Sequence, residues 1–175
     1  MSGKRSQAGR FQIGAVGVDS GQLIVADPCY IDSEWTRTDK DESPVPIVIY
    51  RDRETKRTYA CDACGRPSDV KADVWFRNWQ APLADYGGRT AEKVRPENWV
   101  EEQAGVDRQG EFNYRGVCHT TLKGEHGSGQ LKYKLGHDGV GVACGGFGGD
   151  GVYPVYVETD SSGTVKRLIV EFQEE

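Results

Sequence analysis

Two apolar stretches that face each other across a short polar turn constrain this chain most. In Val152–Glu158, the residues Tyr153, Val155 and Val157 fall on one face. In Thr164–Phe172, Leu168, Val170 and Phe172 do the same. Thr159-Asp160-Ser161-Ser162-Gly163 lies between them and is a turn by composition. A period of two over both arms predicts an antiparallel hairpin with one face buried and one face wet.

The rest of the chain reads the same way. Strands are expected over Phe11–Val18, Gln22–Ala26, Val45–Tyr50, Arg57–Ala60, Asn113–Leu122, Gln130–Leu135 and Val140–Cys144. A short helical turn fits Asp32–Trp35. The best helix is Pro96–Ala104, with proline at its first position and Gly105 as its cap. Many short strands and frequent glycine turns predict an all-β or β-rich α+β fold, an antiparallel sandwich or open barrel with one or two short helices. Residues 1–10 are expected to be a disordered start, and 11–175 one domain with an insertion at about 39–105.

The formal net charge of −5 argues against a protein that coats long nucleic acids. No apolar run reaches membrane-span length, and Met1-Ser2-Gly3-Lys4-Arg5 leads into no apolar signal core. These features predict a cytoplasmic protein. Its five cysteines are then reduced thiols, and Cys29 and Cys144 read as small buried hydrophobes.

Four features could carry chemistry. Gly145-Gly146-Phe147-Gly148-Gly149-Asp150-Gly151 precedes a strand. It is either a structural kink or a loop whose backbone N–H groups cradle an anion. Asp27-Pro28-Cys29-Tyr30 sets a carboxylate and a ring at a strand end. Asp27 either caps the following turn or accepts from a ligand. Arg115-Gly116-Val117-Cys118-His119-Thr120-Thr121 gathers a cation, an imidazole and two hydroxyls, which suit phosphate or sugar oxygens. Cys61-Asp62-Ala63-Cys64-Gly65 offers half of a zinc site, to be completed by Cys118 or His119. The alternative is a pair of free thiols on a hairpin. Either way this unit reads as a stabilising insertion. No cofactor is required, and structural zinc is the one metal suggested.

Two of these segments carry a family resemblance. Val18-Asp19-Ser20-Gly21-Gln22-Leu23 with Asp27-Pro28-Cys29-Tyr30-Ile31, and Gly146-Phe147-Gly148-Gly149-Asp150-Gly151-Val152-Tyr153-Pro154-Val155, resemble the two ends of small proteins from bacteriophages and some Gram-positive bacteria. Cys118–Leu122 followed by Gly129-Gln130-Leu131 is similar too. Gly149 is an extra residue against that family's shorter glycine motif. The resemblance implies kinship with viral sponge proteins, which hold cyclic nucleotide immune signals without hydrolysing them. An oligomer of identical chains is expected as well, because the polar insertion is large for a small core and a site between subunits would better enclose a small anionic ligand. In that reading Gly146, Gly148 and Gly151 contact phosphate with Arg115, Thr120 and Thr121. Tyr30 or Tyr153 stacks on a base, and Asp27 and Asp150 accept from base or ribose. Two rivals stay open. One is a metal-dependent hydrolase using Asp27, His119 and Asp150; the other is a phage structural or host-interaction module.

Overall fold

The computed structural model describes residues 8–37, 45–63 and 65–172. The chain is a β-rich α+β protein, with ten strands in three sheets and three short α-helices among the described residues. None of the sheets closes into a barrel. The fold gathers into two compact units, Met1–Ile24 with Cys144–Glu175, and Val25–Ala143, where the sequence suggests a single domain. The division falls inside β2 (Gln22–Ala26) and β8 (Asp138–Gly145), which belong with β7 (Ser128–Lys132) to a sheet of order β2-β8-β7.

The first unit contains the expected hairpin. β9 (Gly151–Thr159) pairs antiparallel with β10 (Val165–Val170) on one side and with β1 (Gly9–Val18) on the other. Asp160 closes the turn by accepting from Ser162 N at 2.9 Å and Thr164 N at 3.0 Å. Register places Phe11, Val157 and Leu168 in one cross-strand row, and Val155 beside Val170. The opposite face carries Arg10, Tyr156, Glu158 and Arg167. There the Arg10 guanidinium lies 4.2 Å from the Tyr156 ring centre and Arg167 pairs with Glu158 at 3.0 Å. Each edge strand has one register break against β9, between Gln12 and Gly14 in β1 and between Val165 and Arg167 in β10. β1 begins two residues before Phe11, and residues 1–7 of the expected disordered start lie outside the described residues.

The second unit contains a sheet of order β5-β4-β3-β6, formed by β3 (Ile47–Asp52), β4 (Thr58–Cys61), β5 (Val74–Phe76) and β6 (Trp99–Ala104). Tyr50, Tyr59, Phe76 and Trp99 form an aromatic layer on one face, closed by Leu83, Ala91 and Val94. Ile47, Ala60 and Val70 pack on the other. Asp52 is buried. It accepts from Glu54 N and Thr55 N in the β3–β4 turn and from the Tyr86 hydroxyl, which in turn accepts from Trp99 Nε1 at 2.7 Å.

Two expected elements are corrected here. The helix expected over Pro96–Ala104 is instead the end of α2 (Ala91–Asn98), with Pro96 inside it, followed directly by strand β6. Pairing of all six β6 residues with β3 and burial of Trp99 override local helix propensity. The strand expected over Asn113–Leu122 is α3 (Tyr114–Lys123), because the Asn113 side chain caps it by accepting from Gly116 N at 2.7 Å. Its β-branched residues suggested a strand. Inside the fold, Arg115 to Thr121 are buried without interruption. The short turn near Asp32 is α1 (Cys29–Glu34). Cys29, expected to be buried, opens that helix and is exposed; Cys144 is partly buried.

Candidate functional site

The glycine loop belongs to the first unit, and its shape has an internal cause. The Tyr153 side chain is buried under the loop, and its hydroxyl donates to the Gly149 carbonyl at 3.0 Å. Phe147 stacks on Phe172 at 3.9 Å between ring centres, and both rings meet Tyr153 edge-on. Asp150 Oδ1 accepts from Gly21 N at 3.1 Å, tying the loop to the turn between β1 and β2. Gly148 has φ +88° with open space around its missing side chain, so backbone conformation alone demands glycine there. Gly146 and Gly149 also have positive φ. Tyr153 and Asp150 therefore act as the loop's own supports.

The other expected ligand residues belong to the second unit. Asp27 caps α1 by accepting from Cys29 N at 3.0 Å, and that bond holds its carboxyl below the usual range. Arg115 is buried, with Nη2 3.8 Å from Asp69 Oδ2. Thr120 is buried and accepts from Gly110 N at 2.7 Å; Thr121 donates to the Cys118 carbonyl at 3.1 Å. These side chains serve the packing of α3. Of the ten expected ligand residues, five (Asp27, Tyr30, Arg115, Thr120 and Thr121) belong to this unit and the glycine-loop five to the other.

The metal reading rests on Cys61, whose thiol donates to the Arg77 carbonyl at 3.6 Å. Cys64 lies outside the described residues. Cys118 and His119 are buried on α3, and no three His, Cys, Asp or Glu side chains converge among the described residues.

The second unit does form a groove, and its floor is the segment just before α3. Gly116 makes this possible, since a Cβ there would collide with the Glu111 carbonyl. The segment is held from below. Arg108 N donates to His119 Nδ1 at 3.2 Å, Gly110 N to Thr120, and Lys132 N to the Gly110 carbonyl at 2.7 Å. His119 is 2 % exposed, and desolvation pushes its pKa below the ordinary 6.5, so the ring is neutral and Nδ1 accepts. Asp107 Oδ2 pairs with Lys123 at 2.9 Å, which, with the Gln109 N–H bond to its carboxylate, brings Asp107 down to about 2.

Above this floor is a cleft of about 390 Å³ walled by Arg108, Phe112, Lys132, Tyr133, Lys134 and Glu34. A second cleft of about 560 Å³ shares Gln109 and Lys132 with it and reaches Asp107 and Asp138. Arg108 is paired with Glu111 at 2.9 Å, and the Lys134 ammonium donates to the Ser33 carbonyl. The Lys132 ammonium makes no ion pair or hydrogen bond with any described group. Phe112 is steadied by edge-on contact with Trp35 at 5.1 Å. Tyr133 is stacked on His137 at 4.4 Å and meets Tyr30 edge-on at 5.0 Å. The Tyr133 phenol is pushed up to about 12, first by its hydrogen bond with Tyr30 and then by desolvation.

No family model, curated protein or solved structure matches this chain. Function is read from the chemistry of the groove. That groove uses one expected residue indirectly, Tyr30 behind Tyr133. Its other walls went unremarked in the sequence, although Lys132-Tyr133-Lys134 places a ring between two cations.

Proposed function

We propose that the groove of the second unit holds a small anionic ligand with a planar ring, of the nucleotide class. The observation that carries this is the Lys132 ammonium, unengaged by any described group and shared by both clefts. A phosphate there would gain a charge-assisted contact, with Arg108 at the same wall. Phe112 and Tyr133 offer apolar ring surface, and Thr36 and Gln109 offer polar groups to orient a sugar or base edge. The volume of about 390 Å³ falls among ligand sites of roughly 300–1,000 Å³. The resemblance of Asp27–Ile31 and Gly146–Val155 to the phage family points to the ligand's role. The protein holds a cyclic nucleotide immune signal in the host cytoplasm and releases it intact, so that defence effectors do not meet it.

The test is a thermal-shift and calorimetric titration with a panel of cyclic mono- and dinucleotides, followed by denaturation and recovery of the ligand. A true ligand at a hundredfold excess over Kd stabilises the protein by about 2.7 kcal/mol. Lys132→Glu should weaken binding about tenfold or more, the worth of one charge-assisted hydrogen bond. A panel without any melting shift, or a Lys132→Glu variant that binds like the parent, overturns the groove as the site. Recovery of cleaved nucleotide overturns sequestration in favour of turnover.

A further inference from the structure

We propose that the second cleft of the groove takes the far nucleoside of a dinucleotide and selects guanine there, with the Asp138 carboxylate as the selecting group. This rests on the groove reading above, which sets a ring against Phe112 and Tyr133 and a phosphate at Lys132. A nucleotide runs base, sugar, phosphate in that order. With the base in the first cleft and its phosphate at the lysine that both clefts share, the next group joined to the phosphate enters the second cleft. Its volume of about 560 Å³ also falls among ligand sites of roughly 300–1,000 Å³.

The fold fixes what this cleft presents. Gln130 and Lys132 share the exposed face of β7, because Leu131 between them is buried. The Lys132 stem crosses Gly110: a Cβ there would lie 3.1 Å from Lys132 Cε, and Gly110 has φ +87°, so both space and backbone call for glycine. β7 turns into β8 at Tyr133–His137, where Tyr133 N donates to the His137 carbonyl at 2.9 Å. Asp138, the first residue of β8, thereby lines the same cleft as Lys132. These two opposite charges share a cleft without pairing, and neither makes an ion pair or hydrogen bond with any described group. The side-chain amides of Gln109 and Gln130 are likewise unengaged among the described residues. Asp107, by contrast, is already committed to Lys123 and Gln109 N.

The chemistry of that lining selects the group. Two carboxylates repel a further phosphate, so the occupant is an uncharged part of the ligand that donates hydrogen bonds. A carboxylate takes two parallel N–H donors at once, and among the bases guanine alone presents two adjacent donors, N1–H and N2–H, on its Watson–Crick edge. Adenine sets a bare ring nitrogen beside its amino group there and would turn a lone pair toward Asp138. The amides of Gln109 and Gln130 can donate to the O6 and N7 acceptors of guanine. A site whose polar groups match one edge discriminates against a base that leaves them unpaired.

The experiment is titration calorimetry on the full chain with cyclic di-adenylate, cyclic di-guanylate and the mixed cyclic adenylate–guanylate, for the parent, Asp138→Asn and Lys132→Glu. Circular dichroism confirms that each variant folds. The parent should bind both guanine-containing ligands about tenfold or more tighter than cyclic di-adenylate, the worth of one charge-assisted hydrogen bond. Asp138→Asn should erase that preference, because its amide carries a donor where the carboxylate has an acceptor. Lys132→Glu should weaken all three ligands together. A parent that binds the three equally overturns the guanine subsite and leaves the groove standing, as does an Asp138→Asn variant that keeps the preference. A parent that binds none of them overturns the groove reading and this inference with it. Should Asp138→Asn fail to fold, Asp138→Ser applies the same criterion.

Discussion

Two sheets in this protein are built from alternating apolar strands, yet they end up in opposite conditions. The β5-β4-β3-β6 sheet has Tyr59 at 1 % and Trp99 at 4 % exposure, covered by α2 and the turn that bears Tyr86. The β1-β9-β10 sheet also alternates, with one register break in each edge strand, and leaves Phe11 and Leu168 about half exposed. Alternation therefore specifies which side of a strand is apolar. It does not specify what lies against that side, because the cover comes from residues distant in sequence or from another molecule.

The sharpest way to break this comparison is to remove one large side chain from each sheet. Trp99→Ala empties the aromatic layer and removes the donor to the Tyr86 hydroxyl. It should cost about 3–5 kcal/mol in denaturant unfolding. Phe11→Ala should cost well under 1 kcal/mol, since its ring is already half in water. Comparable losses from the two would mean that Phe11 is covered in solution.

The next effect separates the glycine loop from the groove. Gly148→Val forces a β-branched residue into φ +88°. The strain should cost about 1–2 kcal/mol of stability. Binding of the cyclic nucleotide panel in the second unit should be unchanged, as read by titration calorimetry. Loss of binding by a folded Gly148→Val protein would move the site to the loop.

The smallest effect is electrostatic. His119 has a folded pKa below 6.5, so its neutral form is favoured by folding. That contribution is complete above pH 6.5 and is lost as pH falls below it toward the folded value. Asp107, held near 2 against an ordinary 3.8, adds a second loss that begins only below 3.8. Hydrogen exchange should therefore show the segment before α3 loosening as pH falls below 6.5. In that range the β1-β9-β10 sheet, whose ion pairs lie at its surface, should hold. His119→Gln should flatten the first window and leave the second; an unchanged slope would exclude His119 as its source.

Much of the architecture is legible in the sequence, and what is hidden has a common cause. β2 and the β9–β10 hairpin follow from local alternation and turn chemistry. α3 does not, because Val117, Thr120 and Thr121 look like a strand until Asn113 is seen to cap them. β6 does not, because only β3 makes residues 99–104 extended. The same holds for the site. Gly148 and Asp150 announce themselves by type, but their roles are internal to the loop. Lys132 and Phe112 are ordinary in sequence and become notable only when the chain brings the segment before α3 beside β7.

The register breaks at the two edges of the β1-β9-β10 sheet have a consequence for growth. An edge strand with its N–H and C=O groups in an unbroken row is a template on which further strands add, and fibrils begin that way. Here both outer strands carry an irregularity within their length, at Gln12–Gly14 and at Val165–Arg167. Each offers an incoming strand an interrupted ladder with a locally altered twist. Lateral addition of a strand is thereby less favourable at both described edges than on an unbroken one, which guards an apolar hairpin against growth into a fibril.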